Sequence, residues 1–311
     1  MPDRCDEVAL QKRARGSRDV STGVIRGRAY PTRSGPRPPS REGGGAAAKR
    51  SAAPEVKGGS VRVMITGATK PVRLPEAVTV RHGPVNLLSQ FFLAADQYVR
   101  DRGVKLYVRH DMDELLRFNE QQVKEGNWYP LAGAFNPKLN DLTPENTYWI
   151  CGLDVQGERV VSQAARLYRW GRTSLADHAG ALLYGDFGPG RSCIVECETA
   201  HLITGNVAFG GALWIRSDYR HCGLGGLISH ISRAYAMASW GVEWFASTIQ
   251  RSLVARGMHH AYGYSDIDFA VRYPGSPGGD LEMAVVRQQG LELLARVESF
   301  VGRPVEEVRA A

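Results

Sequence analysis

The sequence lacks the long apolar runs that would mark a membrane protein. No run approaches the roughly 18 apolar residues that are needed to cross a bilayer. The amino terminus carries charges throughout and has no apolar core segment, so we expect no secretory signal. These absences predict a globular protein with no membrane partner, and the cytoplasm is its expected location.

Paired cysteines and metal-ligand clusters are also missing. The five cysteines are scattered, and an odd number without CxxC pairs argues against both a disulfide framework and a structural zinc site. Cys193 and Cys197 are four residues apart, but no second ligand pair follows at zinc spacing. His259 and His260 are adjacent and cannot share one face of a helix, so they do not make a metal pair. We therefore expect no metal.

Excess charge is absent from most of the chain. Residues 1–60 contain 13 Lys or Arg and 6 Asp or Glu, so the whole net charge of +7 falls there and the rest of the chain balances to zero. This segment is rich in Arg, Gly and Pro, and its composition predicts a disordered basic tail. It is either a solvated tail, with the true start as late as Met64, or a basic arm for an anionic partner. The balanced remainder predicts no nucleic-acid partner.

What the chain does contain is a regular succession of helical and extended patterns. An N-terminal extension over 61–103 carries an amphipathic helix at 84–102, and Gly103 stands where a helix favours glycine at its end. A larger domain over 104–311 follows, with an insert at about 171–205. Its pattern predicts a strand at 104–110, a helix at 112–126, a hairpin over 147–170, a strand at 206–215, a helix from Leu224 to Gly241, a strand at 242–249, a helix at 252–261, two strands over 267–287 and a helix at 290–301. This order predicts a mixed α/β (α+β) fold.

The most informative stretch is a glycine-rich turn between a predicted strand and a predicted helix. An apolar segment ends at Ile215, a short polar turn follows, and Arg220-His-Cys-Gly-Leu-Gly225 leads into the helix. Such a junction collects backbone N–H groups and the positive end of a helix dipole at one point. Gly223 and Gly225 let a phosphate approach the backbone closely. The turn therefore predicts a pyrophosphate site.

This R-x-x-G-x-G turn resembles the acetyl-CoA signature of the GNAT N-acyltransferase superfamily, and the element order over about 100–290 is similar as well. The resemblance implies a mixed central sheet with a splayed strand pair flanked by helices. It implies acyl transfer from acetyl-CoA, as co-substrate, to an amine acceptor that attacks the thioester directly. A homodimer is left open. The cofactor-binding residues that it implies are Trp214 and Ile215 for pantetheine, and Arg220, His221, Cys222, Gly223, Leu224, Gly225 and Gly226 for the pyrophosphate.

The catalytic base is less well marked. The strand before the signature carries no carboxylate, and its Gly210-Gly211 pair would suit a bulge that splays the strand. The nearest acids are Glu196 and Glu198, which would share one face if residues 192–198 were a strand. A carboxyl group buried beside another has a raised pKa, which suits a base. The alternative is that both are solvated charges at a sheet edge.

For the catalytic acid, the resemblance implies a tyrosine late in the helix that follows the next strand. Tyr262 is the nearest candidate, although its register is shifted by a few residues, and a core or surface aromatic is the alternative. We expect the loop at 130–145 and the insert at 171–205 to border the acceptor pocket. The alternative to an acyltransferase is a GNAT-like module that binds acyl-CoA without turnover, in a regulatory or structural role.

Overall fold

A computed structural model describes residues 71–187, 192–264, 266–276 and 279–302. The predicted tail at 1–60 lies outside these ranges, so that prediction stays untested. Within the described ranges, no helix is both long enough and apolar enough to cross a bilayer.

The described residues build one nine-stranded sheet. Its strands are β1 (Val72–Arg73), β2 (Lys105–Arg109), β3 (Thr147–Leu153), β4 (Arg159–Trp170), β5 (Ile194–Val195), β6 (Gly205–Ile215), β7 (Trp244–Gln250), β8 (Asp266–Ser276) and β9 (Gly279–Gln289). They lie in the order β1-β2-β3-β4-β6-β7-β9-β8-β5. Every neighbouring pair is antiparallel except β6 and β7, which are parallel. The prediction of a mixed sheet is confirmed.

Helices cover both faces of this sheet. They are α1 (Leu74–Ala77), α2 (Val85–Asp101), α3 (Met112–Lys124), α4 (Leu175–Tyr184), α5 (Glu198–Leu202), α6 (Leu224–Trp240), α7 (Arg251–Ala255), α8 (Met258–Ala261) and α9 (Gly290–Val301). Local signals set their ends. Asp111 caps α3 by accepting a hydrogen bond from the Glu114 N–H at 2.8 Å, and α6 stops at Gly241, whose φ of 61° is left-handed.

Two hydrophobic layers hold the helices against the sheet. On one face, α2, α6 and α9 share a core that includes Phe91, Ile228 and Leu293. On the other face, α3 and α4 pack around a core that includes Phe135 and Trp149. Each layer buries one apolar stripe of its helices, as the helical spacing in the sequence predicts.

Two boundaries differ from the sequence predictions. The helix predicted at 252–261 is two short helices, α7 and α8, because Gly257 between them takes a left-handed φ of 71°. The prediction of an extended segment at 192–198 is confirmed only for the two residues of β5. It is wrong at its end, because Glu198 already begins α5. Cys197 caps that helix, its Sγ accepting from the Ala200 N–H at 3.3 Å.

The parallel strands β6 and β7 part halfway along their length. They pair only where Val207–Phe209 lies beside Trp244–Ala246. Beyond that point β6 bulges at Ala212 and Leu213, where its register against β4 shifts and Ala212 takes a left-handed φ of 53°. The predicted splay is confirmed, and the bulge lies just beyond the Gly210-Gly211 pair that was expected to form it.

A nearly buried carboxylate joins the amino-terminal elements. Asp96 on α2 is 3% exposed. It accepts from Arg73 Nη2 at 2.8 Å and lies 3.0 Å from Arg100 Nε. We expect Asp96→Ala to lower the free energy of unfolding by about 2–3 kcal/mol, because the arginines lose their counter-charge in a partly buried place. Urea unfolding checks this, with Glu298→Ala on the exposed side of α9 as the control. Equal losses in the two variants would contradict it.

Candidate active site

The predicted anion-binding turn lies at the start of α6. His221 and Gly223 both have left-handed φ angles, of 66° and 76°, and these bring the chain sharply into the helix. Arg220 Nε donates to the Ile215 carbonyl at 2.9 Å and so spans the turn. The bond from the Leu227 N–H to the Gly223 carbonyl closes the first helical turn. The N–H groups before residue 227 precede this bond and lie at the positive end of the helix dipole.

Helix α2 holds the turn from behind. The Tyr98 hydroxyl and Arg102 Nε both donate to the Cys222 carbonyl, at 3.4 Å and 3.1 Å. The Arg102 guanidinium also lies 3.4 Å from the centre of the Tyr98 ring. These contacts hold the carbonyl side of the turn in place. Because they join residues more than 100 positions apart in the chain, local sequence patterns do not reveal them.

Two of the glycines predicted to bind the pyrophosphate differ in what surrounds them. A Cβ at Gly226 would lie 2.4 Å from the Ala261 carbonyl oxygen, so this glycine allows α6 to pack against α8. A Cβ at Gly225 would lie 3.4 Å from Ile215 Cδ1 and 3.6 Å from a Tyr262 ring carbon, which are ordinary contact distances. A Cβ at Gly225 would therefore fit without a clash.

A cleft of about 230 Å³ lies where β6 and β7 part. The Ser247 hydroxyl donates to the Gly210 carbonyl at 2.8 Å, which joins the strands beyond the last backbone pairing. The turn and the cleft are contiguous, because Ser229 lines the cleft and its hydroxyl donates to the Gly225 carbonyl at 3.0 Å. The described residues that line the cleft are Trp128, Tyr129, Pro130, Leu131, Ala132, Gln163, Gly210, Gly211, Ala212, Leu213, Ser229, Ser247, Thr248, Ile249, Gln250, Leu253, Tyr262, Tyr264 and Met283.

Two tyrosines bring hydroxyl groups to this cleft. Burial raises the pKa of the Tyr262 phenol against the opposing charges of Arg256 and Arg220. Tyr262 therefore keeps its proton at neutral pH and can donate it. Tyr264, which is 6% exposed, places its hydroxyl 3.7 Å from the Cβ position of Gly210. The sequence analysis selected Tyr262 but did not select Tyr264.

A third polar side chain in the cleft has an unused acceptor. Gln163 on β4 is 6% exposed, and its Nε2 donates to the Gly211 carbonyl at 3.1 Å and to the Ala164 carbonyl at 3.3 Å. These two acceptors fix the orientation of the amide. Its Oε1 is buried without a hydrogen-bond partner from the protein, which is costly unless a ligand supplies one. No sequence pattern marks this residue.

The residues predicted to meet pantetheine end strand β6. Trp214 and Ile215 pair with Ser162 and Val161 on β4, whereas β7 leaves the other edge of β6 after Phe209. The Trp214 ring turns away and packs against Phe118 and Trp128, with centroids 5.1 Å and 5.9 Å away. An edge that β7 does not cover can pair with an extended ligand, as an added strand does.

Glu196 and Glu198 do not join this site. The strand β5 that ends beside Glu196 is the outermost of the sheet, separated from β6 by β7, β9 and β8. The Glu196 side chain is 54% exposed and forms an ion pair with Arg272. Glu198 is exposed at the start of α5. The proposed shared strand face does not exist, and neither carboxylate lines the cleft, so we do not retain them as bases.

Two other clefts include residues predicted to bind the donor: one of about 440 Å³ is bordered by Gly223 and Gly226, and one of about 490 Å³ by Trp214 and Arg220. A larger cleft of about 540 Å³ lies at the far end of α6, beside Arg81, Arg169 and Trp240, and contains no residue of the turn. Among the described residues, no three His, Cys, Asp or Glu side chains are grouped so that they could hold a metal ion.

A half-buried histidine supports the carbonyl side of the turn. His230 Nδ1 donates to the Gly226 carbonyl at 2.8 Å. Burial, and then the charge of Arg233, lowers the pKa of His230 to about 3. The folded protein therefore keeps this imidazole neutral, whereas the unfolded chain takes up a proton near pH 6.5. Stability that depends on His230 is complete above that pH and is lost as the pH falls from about 6.5 towards 3.

We expect this linkage to be measurable as a pH-dependent loss of stability. Between pH 7 and pH 5, the wild type should lose about 2 kcal/mol more unfolding free energy than His230→Gln does, because the variant has no proton to take up there. Urea unfolding at the two pH values checks this, with His201→Gln on an exposed helix end as the control. An unchanged pH dependence in His230→Gln would contradict the assignment.

Comparison with known proteins finds matches among solved structures. No protein-family model matches the sequence, and no curated protein sequence matches it either. A GNAT-family acetyltransferase from Streptococcus pneumoniae is 12% identical; the match covers 59% of this chain and 99% of that chain, with a TM-score of 0.34. A variant of the spermidine N-acetyltransferase SpeG from Vibrio cholerae is 9% identical, with 62% and 98% covered and a TM-score of 0.37.

An aminoglycoside acetyltransferase in complex with coenzyme A and kanamycin is 14% identical, with 61% and 96% covered and a TM-score of 0.35. These are similarities of fold to GNAT acetyltransferases. The mixed sheet and its splayed strands, which the structure shows directly, agree with the GNAT-type fold that the sequence predicted.

Proposed function

We propose that this chain is an acyl-CoA-dependent N-acyltransferase, most simply one that transfers an acetyl group from acetyl-CoA to an amine. One observation carries the proposal: the glycine-rich turn at the start of α6 lies beside the cleft between β6 and β7, because Tyr262 both lines the cleft and contacts the Cβ position of Gly225. The turn suits a pyrophosphate, and the uncovered edge of β6 suits the amides of pantetheine. Gln163 Oε1 offers an acceptor to an N–H of the bound donor.

The backbone of the turn is compatible with such a donor. A Cβ at Gly225 would lie at ordinary contact distances from Ile215 and Tyr262. His221 and Gly223 already have the left-handed backbone angles that shape the turn. A phosphate there would meet helical N–H groups rather than side chains. We therefore assign the pyrophosphate to residues 220–226 and the thioester to the cleft.

In the proposed reaction, the amine nitrogen attacks the thioester carbon and forms the C–N bond. The C–S bond then breaks, and the sulfur leaves as a thiolate that takes up a proton. We propose Tyr262 as the donor of that proton, because its phenol stays neutral and it borders both turn and cleft. No carboxylate lines the cleft among the described residues, so we propose that water receives the proton that the amine loses.

Two measurements test the proposal in order. Acetyl-CoA should raise the melting temperature, and a thiol assay should then show release of free CoA when an amine is added. If acetyl-CoA neither binds nor stabilises the protein, the proposed function is wrong.

A binding module without turnover is the second candidate. The observation that favours it is the lack of a carboxylate in the cleft, which many proton-transfer sites would contain. Tight acetyl-CoA binding, combined with no CoA release across a broad panel of amines, would decide for this candidate.

A further inference from the structure

Side chains from both faces of the sheet line the cleft, and the two sets differ. On the α6 face lie Gln163, Ser229, Tyr262 and Tyr264, next to the turn that the proposed donor occupies. The opposite face is bordered by the loop at 128–132 and by three side chains of β7 and β9, which are Thr248, Gln250 and Met283. An acceptor that meets the thioester without displacing the donor has to come from this opposite face. We call this side of the cleft, formed by residues 128–132, Thr248, Gln250 and Met283, the acceptor mouth.

The acceptor mouth carries no charge. None of the described residues that line the cleft is Asp, Glu, Lys, Arg or His. On the α6 face of the cleft, Arg220 and Arg256 act on Tyr262, and the Arg233 guanidinium lies 4.5 Å from the centre of the Tyr264 ring. A bound ammonium group would find no counter-ion among the described residues that line the cleft.

Aromatic and apolar side chains make up much of the acceptor mouth instead. Trp128 is braced by Phe118 and Trp214. Tyr129 is 67% exposed at the rim of the mouth. Pro130 and Met283 complete an apolar lining of the kind that accepts flat rings. The whole cleft, at about 230 Å³, is smaller than the roughly 300 Å³ at which sites for drug-sized ligands begin.

From these observations we infer that the acceptor is a small aromatic amine that is uncharged at neutral pH. The inference rests on the proposed function and names its second substrate. An aromatic amine has a free lone pair at pH 7, so it attacks without first losing a proton to a base. This chemistry accounts for a cleft that binds an acyl donor and yet lacks a carboxylate.

The proton balance separates this acceptor from an alkylamine. When an uncharged amine attacks, the C–N bond forms, the C–S bond breaks, and one proton passes from nitrogen to sulfur through Tyr262 and water. An alkylammonium ion must first give up another proton to solvent before it has a lone pair. It must also lose its hydration in a cleft whose described lining offers no counter-ion, which disfavours its binding.

A pair of isomers tests the inference. 4-Methylaniline and benzylamine have the same atoms, but the first is uncharged at pH 7 and the second is an ammonium ion. We expect kcat/KM with acetyl-CoA, corrected for the uncatalysed rate of each amine, to favour 4-methylaniline by at least about tenfold. The full chain is used, and the dissociation constant of each amine from the CoA-bound protein is measured alongside.

A variant makes the same test in reverse. Gln250→Glu places a carboxylate of nearly the same shape in the acceptor mouth, and it should shift the preference towards benzylamine by at least about tenfold. Gln156→Glu in the exposed β3–β4 turn is the control and should leave the preference unchanged. A melting curve of each variant confirms folding.

The outcomes are distinguishable. If the wild type prefers benzylamine or treats the isomers alike, the acceptor inference is overturned while the acyltransferase proposal stands. If acetyl-CoA binds but neither amine binds or reacts, the acceptor inference is overturned, and the broader amine panel then decides between turnover and binding alone. If acetyl-CoA itself does not bind, the proposed function fails first.

Discussion

Gly225→Glu should abolish acetyl-CoA binding, with affinity at least about 100-fold weaker, which corresponds to roughly 3 kcal/mol. The Cβ of the new side chain would not clash, because it lies at ordinary contact distances from Ile215 and Tyr262. Its carboxylate would instead take the anion position at the start of α6, where the helix dipole favours negative charge. A pyrophosphate would then face a like charge and lose its N–H partners.

Isothermal titration with acetyl-CoA measures the effect. The matched control is Gly171→Glu, because Gly171 is exposed, has no other group within 4 Å of its Cβ position and lies outside the cleft. We expect the control to bind acetyl-CoA as the wild type does, and both variants to keep the wild-type fold in circular dichroism. Undiminished binding by Gly225→Glu would refute the assignment of the pyrophosphate to this turn.

The strongest parts of the sequence prediction came from local physics. The α6 helix is predicted by the spacing of its apolar residues and by the glycine at its end, Gly241. Both signals depend on residues that are close together in the chain. The turn at Arg220–Gly225 followed in the same way, because strand, glycines and helix are adjacent in the chain. Tyr262 was found by resemblance alone, and the structure does place it against Gly225.

The rest depended on contacts that no local pattern carries. Tyr98 and Arg102 reach the turn from α2, and Gln163 reaches the cleft across the β4–β6 pairing. The loop expected at 130–145 does reach the cleft with Pro130, Leu131 and Ala132, whereas no described residue of the insert at 171–205 lines it. The expectation for Glu198 failed for a different reason: alternation in a short segment suggested a strand, but Cys197 caps a helix at that point. Sequence spacing locates elements, whereas the site is completed by residues far apart in the chain.

The segment that carries both tyrosines depends on one glycine. Gly263 stands between Tyr262 and Tyr264 with a left-handed φ of 79°. A Cβ there would lie 2.4 Å from His230 Nε2 and 3.0 Å from Arg233 Nη2. Both contacted groups are fixed, since His230 bonds the Gly226 carbonyl and Arg233 Nη2 donates to the Tyr262 carbonyl at 2.6 Å. Gly263 is therefore required twice, by its backbone angle and by the space beside it.

Gly263→Ala should therefore lower the free energy of unfolding by about 3 kcal/mol or more, from the left-handed strain and from the overlap with His230. Gly257→Ala separates the two causes. Gly257 has a similar φ of 71° but no group within 4 Å of its Cβ position, so its cost should be about 1–2 kcal/mol, from strain alone. Urea unfolding of both variants gives the difference. Because the clash would also displace Tyr262, only Gly263→Ala should lose CoA release with amines at temperatures where it remains folded. Equal stability losses would show that the buried contacts with α6 do not fix this segment.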